Sequence, residues 1–276
     1  MVPGVLVVIR HQLPHSEIIH ARVEDVYPMI GPGSVTLCHV DGPYGMNKAA
    51  WDKVKDLAAW YRPHIAEWGR VCAPSASVYL WNTAEGWAAI HPEMVGAGWT
   101  FRGLIVWQKS GANPTLVGAA NSYKWPDVTE VCGHYQRGDA HHVNPRGCSN
   151  VWTYAPTSDM NAERLWSDNM KPRMVSGDEN REALHPCQKP LLFARRIVEA
   201  SSRPGDLVFE PFGGTCRIAA ACEAIGRYEP EKARKYLCCE MDEDGRGYIP
   251  AVLASLRGEL PRGASAQQTR LFGGAA

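Results

Sequence analysis

The apolar run "VTLCHV" over residues 35–40 stops in Asp41-Gly42-Pro43-Tyr44-Gly45. A carboxylate, a flexible residue, a ring-locked one and a phenol at a strand tip admit two readings. As a turn, Gly and Pro supply the backbone angles and Asp41 bonds its own main chain. As a site, the same residues offer a proton acceptor beside a flat ring. A second group lies far downstream. "DLVFEPF" reads as a strand, "GGTCRIAAACEAIGR" as a helix after a glycine turn, and "YLCCE" as a strand ending in Glu240. Strand, glycine turn, helix, strand, acid is the outline of a nucleoside-binding unit. Gly213 and Gly214 let a ligand approach the backbone, and Glu240 accepts from ribose hydroxyls. The turn lacks the fuller GxGxxG run that a pyrophosphate needs. A nucleoside without phosphates suits it better, and S-adenosylmethionine is the obvious candidate.

Alternating elements are available to position both groups. Strands are expected at 34–41, 77–81, 104–108 and 128–135. Helical spacing of Trp51, Val54, Ala58, Tyr61, Ile65 and Trp68 predicts a helix over 49–70, broken or kinked at Pro63. A further helix is expected at 85–97. Pro190 opens another, fitting a first helical turn, and Gly226 is expected to stop the helix after the glycine turn. A helix carrying Val252, Leu253 and Leu256 closes the pattern. The first eighteen or so residues show no clear periodicity. This alternation implies an α/β fold with helices on both faces of a sheet.

Residues 136–184 differ. They are broken by Gly, Pro, Asn and Asp, carry Arg137, His141, His142, Arg146, Arg164, Lys171, Arg173 and Arg181, and interleave Trp152, Tyr154 and Trp166. So long an irregular stretch is rarely filler. It is either a solvated insertion or a module that grips a polyanion. The segment 109–125 reads as a flexible, weakly basic loop, and the end from about Arg257 as a mobile tail.

Bulk composition narrows the classes. The 29 acidic and 29 basic side chains cancel, so nucleic acid would have to be met by a local basic face. The nine cysteines are scattered without paired CxxC spacing, which fits a reduced cytoplasmic setting and argues against a zinc site or disulfide framework. No segment approaches a membrane span, and the first residues lack the charged leader and apolar length of a secretory signal.

In order along the chain, "DGPYG" (41–45), "RVCAPSASVYLW", "GWTFRGLIVWQK", "VTEVCGHYQRG" and "HPCQKP" (185–190) with "GDLVFEPFGGT" (205–215) resemble the motifs of the permuted, beta-class DNA amino-methyltransferases acting on adenine N6 or cytosine N4. The likeness covers roughly residues 19–258. It implies a Rossmann-like methyltransferase fold with a doubly wound, mostly parallel sheet. The catalytic half would be 19–135, a target-recognition insertion 136–184, the cofactor half 185–258 and a tail 259–276.

The resemblance implies roles. Asp41 and the Gly42 carbonyl would accept the two amino hydrogens of a base, turning its lone pair toward a methyl group; Pro43 would stiffen the loop and Tyr44 would stack on the base. Lys189, Glu210, Pro211, Phe212, Gly213, Gly214, Thr215 and Glu240 would hold S-adenosylmethionine, with Phe212 near its adenine or sulfonium end and Glu210 and Lys189 near its methionine portion. Arg137, Arg146, Arg164, Lys171 and Arg173 would contact duplex DNA. The base must be swung out of the stack to be reached. A homodimer is expected, and no metal. His185 is assigned a structural or cofactor-side role.

This chain departs from the family pattern at several points. Gly42 stands where proline is usual, Glu210 where aspartate is, and Cys216 and Arg217 replace glycine and threonine. Ala21-Arg22 occupy the place of a Gly-Asp pair. An aspartate in the catalytic motif favours adenine N6. The alternatives are cytosine N4, a silent DNA-binding relative, and methylation of RNA or of a protein amide.

Overall fold

A computed structural model of the chain describes residues 8–14, 17–47, 49–109, 129–144, 147–154, 189–241 and 248–257. Among the described residues nine strands run β1 Ile9–Gln12, β2 Glu17–His20, β3 Val35–Val40, β4 Cys72–Asn82, β5 Thr100–Lys109, β6 Thr129–Gln136, β7 Val151–Tyr154, β8 Leu207–Glu210 and β9 Lys235–Glu240. The helices are α1 Val23–Val26, α2 Leu57–Val71, α3 Ala84–Gly96, α4 Leu191–Ser201, α5 Arg217–Tyr228 and α6 Tyr248–Arg257. These strands form one sheet in the order β1-β2-β9-β8-β3-β4-β6-β5-β7. Strands β2, β9, β8, β3 and β4 run parallel. Beyond β4 the chain reverses, with β6 antiparallel to both β4 and β5.

Side-chain alternation explains the layers. Successive residues of a strand face opposite sides, and both sides are apolar here. Tyr79, Trp81, Val208, Tyr236 and Cys238 pack with α4, α5 and α6 through Phe193, Ile197, Ile218, Cys222 and Val252. Val78, Leu80, Phe209, Leu237 and Cys239 pack with α2 and α3 through Tyr61, Ile65, Trp68, Ile90 and Met94. Strands covered on both faces read as near-continuous apolar runs, which is why these were visible in the sequence.

The helix starts have local causes. Asp56 accepts from the Ala59 amide at 2.9 Å and Thr83 from the Gly86 amide at 3.0 Å, capping α2 and α3. Other boundaries correct the expectations. Residues 50–52 form a separate 3-10 turn, and α2 passes through Pro63 unbroken. The buried face of Tyr61, His64, Ile65 and Trp68 holds that helix despite one missing amide donor. Gly226 does not end α5; the Glu229 amide bonds the Ile225 carbonyl at 2.8 Å and the helix runs on to Tyr228.

The amino-terminal residues, expected to be irregular, supply the β1–β2 hairpin. Arg10 and Gln12 grip Glu17 across it. Strand β7, inside the stretch expected to be irregular, joins the sheet edge beside β5. The loop at 110–125, the segment at 181–188 with His185, and the tail from 258 lie outside the described residues. Among the described residues no helix is long and apolar enough to cross a membrane.

Candidate active site

Strand β3 lies between β8 and β4, and the chain leaves it toward β4 while leaving β8 toward β9. Such a reversal opens a crevice beyond the carboxyl ends of the strands, where α/β sheets bind ligands. Asp41 follows the end of β3 and Glu210 ends β8, so both quoted groups meet at this point. A cavity of about 280 Å³ fills the crevice. Its wall includes Asp41, Gly42, Trp60, Lys189, Phe212 and Glu240.

The Asp41 loop is held by a buried anion. Asp52, 1% exposed, accepts from the amides of Tyr44 (2.7 Å), Gly45 (2.9 Å) and Met46 (3.1 Å). Three converging backbone donors satisfy a carboxylate that would otherwise be costly to bury. From the other side the Pro43 carbonyl accepts from the Tyr61 hydroxyl at 3.2 Å and from Asn82 at 3.3 Å. The turn reading of Asp41-Gly42-Pro43-Tyr44 is therefore incomplete: the loop is braced from three elements.

Charges concentrate at its tip. Lys189 Nζ lies 2.8 and 3.0 Å from the two Asp41 oxygens and 3.0 Å from Glu130 Oε2. The Tyr44 hydroxyl donates to Asp41 Oδ1 at 2.9 Å and lies 3.3 Å from Glu130. Two acids thus share one ammonium in a largely buried cluster, with a phenol completing the network. Each added hydrogen bond offsets part of the desolvation cost.

The adjoining wall is built by the glycine turn. Gly214 has φ of +51°, which suits a residue without Cβ, and its amide donates to Glu240 Oε2 at 2.6 Å. A Cβ on Gly213 would lie 2.5 Å from Cys238 Sγ, so the turn packs directly on β9. Glu210 is buried beside His39, with Oε1 at 3.2 Å from His39 Nδ1 and Oε2 accepting from Cys238 at 3.4 Å. Trp81 Nε1 donates to His39 Nε2 at 3.0 Å, which leaves the His39 proton on Nδ1, facing Glu210. Burial raises the Glu210 pKa, and the His39 contact opposes that rise. Phe212 packs in an aromatic group with Trp60 (5.5 Å) and His64 (5.4 Å).

A family model described as "DNA methylase" matches residues 35–246. The chain belongs to this family. This methylase is 28% identical over 227 residues to the DNA adenine methyltransferase YhdJ of Escherichia coli K12, covering 76% of this chain and 75% of that one. It is 24% identical to the Type II methyltransferase M1.MboII of Moraxella bovis over 76% and 86% of the two chains. Its fold is that of the cytosine-N4-specific PvuII DNA methyltransferase, with TM-score 0.66 at 12% identity over 96% and 95%. It also matches M1.HpyAVI in its S-adenosylmethionine complex, with TM-score 0.58 at 16% identity over 86% and 99%.

The methylase brings together Asp41, Gly42, Pro43, Lys189, Glu210, Pro211, Phe212, Gly213, Gly214, Thr215 and Glu240 around one cavity, with Tyr44 bonded to Asp41. Lys189, expected toward the methionine portion of the cofactor, sits between Asp41 and Glu130. Among the expected DNA contacts, Arg146, Arg164, Lys171 and Arg173 lie outside the described residues. Arg137 is placed otherwise. Its guanidinium donates to the Gly69 carbonyl (2.9 Å) and the Ala97 carbonyl (2.7 Å) and covers Trp99 at 4.2 Å. It fastens two helix ends together.

Sequence reasoning missed Asp52, Tyr61, Glu130 and His39. Glu130 carried a faint signal, a lone acid opening the apolar run "VTEVCGHY". The others required the tertiary structure. Among the described residues, no group of acids, histidines and cysteines could hold a metal ion.

Proposed function

We propose that this methylase transfers the methyl group of S-adenosylmethionine to N6 of an adenine flipped out of duplex DNA. The observation that carries the proposal is the meeting of the Asp41 loop with the Gly213-Gly214 turn at one cavity. The residues fit the cofactor. The turn and the Glu240 carboxylate suit a ribose, Phe212 offers a flat apolar face, and Glu210 suits an ammonium. S-adenosylmethionine supplies a methyl group made electrophilic by its sulfonium. Everything else falls to the chain's own groups. Asp41 accepts one amino hydrogen of the base and the Gly42 carbonyl the other, which turns the nitrogen lone pair toward the methyl group. Lys189, Glu130 and Tyr44 fix the Asp41 carboxylate before the base arrives. An extruded base also needs a stacking partner, a role assigned here to Tyr44, whose hydroxyl bonds Asp41.

Adenine is favoured over cytosine by the aspartate of the catalytic loop and by the likeness to an adenine methyltransferase. The insertion expected at 136–184, with Arg146, Arg164, Lys171 and Arg173, is assigned to DNA contact, and a homodimer to the working form. The test is transfer of labelled methyl from S-adenosylmethionine to duplex DNA by the purified chain, followed by digestion and mass spectrometry. N6-methyladenine is expected, with Asp41→Ala lowering the rate at least about 100-fold. N4-methylcytosine in its place would reverse the choice of base, and preferential labelling of RNA would reject DNA as substrate.

A further inference from the structure

Glu130 reaches the catalytic loop through the reversal in the sheet. Strand β6 runs against β4, so its first residues and not its last lie at the end where Asp41 stands; Val131 pairs with Asn82, the final residue of β4. Glu130 Oε2 is 3.0 Å from Lys189 Nζ and 3.3 Å from the Tyr44 hydroxyl, while Lys189 bonds both Asp41 oxygens. Asp41 and Lys189 belong to the cavity wall and Glu130 does not. At 8% exposure, Glu130 acts on the cavity through these neighbours.

Charge gives it a task. When an amino nitrogen takes a methyl group, its lone pair makes the new C–N bond and the S–C pair stays on sulfur. Positive charge then appears at nitrogen until Asp41 takes a proton from it. Asp41 and Lys189 alone make a neutral pair, and an ammonium 2.8 Å from the acceptor opposes positive charge arriving on the base. Two carboxylates sharing that ammonium leave one negative charge in excess. The Lys189 side chain is only 3% exposed, so water screens this balance little. The buried ammonium also gains from both acids part of what its own desolvation costs.

We infer that Glu130 is a positioning residue whose charge cancels that of Lys189, so that Asp41 meets the base as an anion and not as half of a neutral pair. This assignment rests on methyl transfer to a base amine being the reaction. It gives Lys189 the task of fixing the Asp41 oxygens and Glu130 the task of removing the electrostatic penalty of that fixing.

Steady-state methyl transfer to duplex DNA by the full chain tests it. Glu130→Gln, close in shape, should lower kcat about 10- to 100-fold and leave KM for DNA and for S-adenosylmethionine within about 3-fold. Glu130→Asp, which keeps the charge, should recover part of the loss. Adding Lys189→Met to Glu130→Gln removes both charges and should raise kcat above that of Glu130→Gln alone. A Glu130 that only anchors Lys189 in place would give a double variant no faster than the single one, and that result would overturn the inference. So would an unchanged kcat in Glu130→Gln. Should Glu130→Gln not fold, the double variant decides against the unaltered protein: a kcat within about 10-fold is expected, and a larger loss overturns the charge balance. Absence of methyl transfer by the unaltered protein would remove the reaction, and this assignment with it.

Discussion

At Gly42 the two loops touch. A Cβ there would lie 2.6 Å from the Tyr61 hydroxyl and 2.9 Å from Phe212 Cδ2. Phe212 belongs to the cofactor turn, and Tyr61 braces Pro43 from α2. The proline usual in the family would not fit this packing, which accounts for the glycine. Gly42→Ala is expected to slow methyl transfer at least about 10-fold by pushing the Asp41 loop off position. Tyr61→Phe in the same chain removes the nearer contact and should restore part of that loss. Steady-state rates of the single and double variants check both. Asp41, Tyr44 and the glycine turn were legible because short motifs encode them. Asp52 and Glu130 were not, because an isolated acid looks the same in sequence whether it meets solvent or three amides.

Elements show the same division. Strands β3, β4, β8 and β9 announced themselves as apolar runs, since both their faces are covered. The β1–β2 hairpin escaped notice because its four-residue strands are too short for a period and gain their register from β9. Arg137 gives the clearest lesson about charge. The sequence displays a cation in a basic stretch, but its donors end on the last carbonyls of α2 and on the residue just past α3. Arg137→Ala should lower unfolding free energy by about 1–3 kcal/mol in urea titrations. DNA affinity of the folded protein should stay within about 2-fold, with an unchanged salt slope. A slope reduced by about one would restore it as a phosphate contact.

Across the whole molecule, stability is tied to pH through a group that does not line the crevice. His134, 8% exposed, stacks on Tyr79 at 4.4 Å with His142 beside it at 4.9 Å. Burial, then His142 and Arg102, hold its pKa down at about 3, against an ordinary 6.5. The folded state thus keeps this ring neutral while the unfolded chain protonates it near 6.5. Its contribution is complete above that pH and is lost as pH falls toward 3. Between pH 7 and 5 the loss should be about 2 kcal/mol. Denaturation of His134→Phe, which retains the stacked ring, should lack that part of the slope.

The strand order also dictates when the sheet can be completed. The edge of β3 that faces β8 finds its partner 171 residues later, where Thr36 bonds the Leu207 carbonyl. Loop closure over that span must precede the pairing. A ribosome therefore extrudes the Asp41 segment long before the neighbour that shields it, leaving a nascent apolar ribbon open on one side. Synthesis of this methylase passes through a stage in which the strand leading to Asp41 is an edge open to foreign pairing.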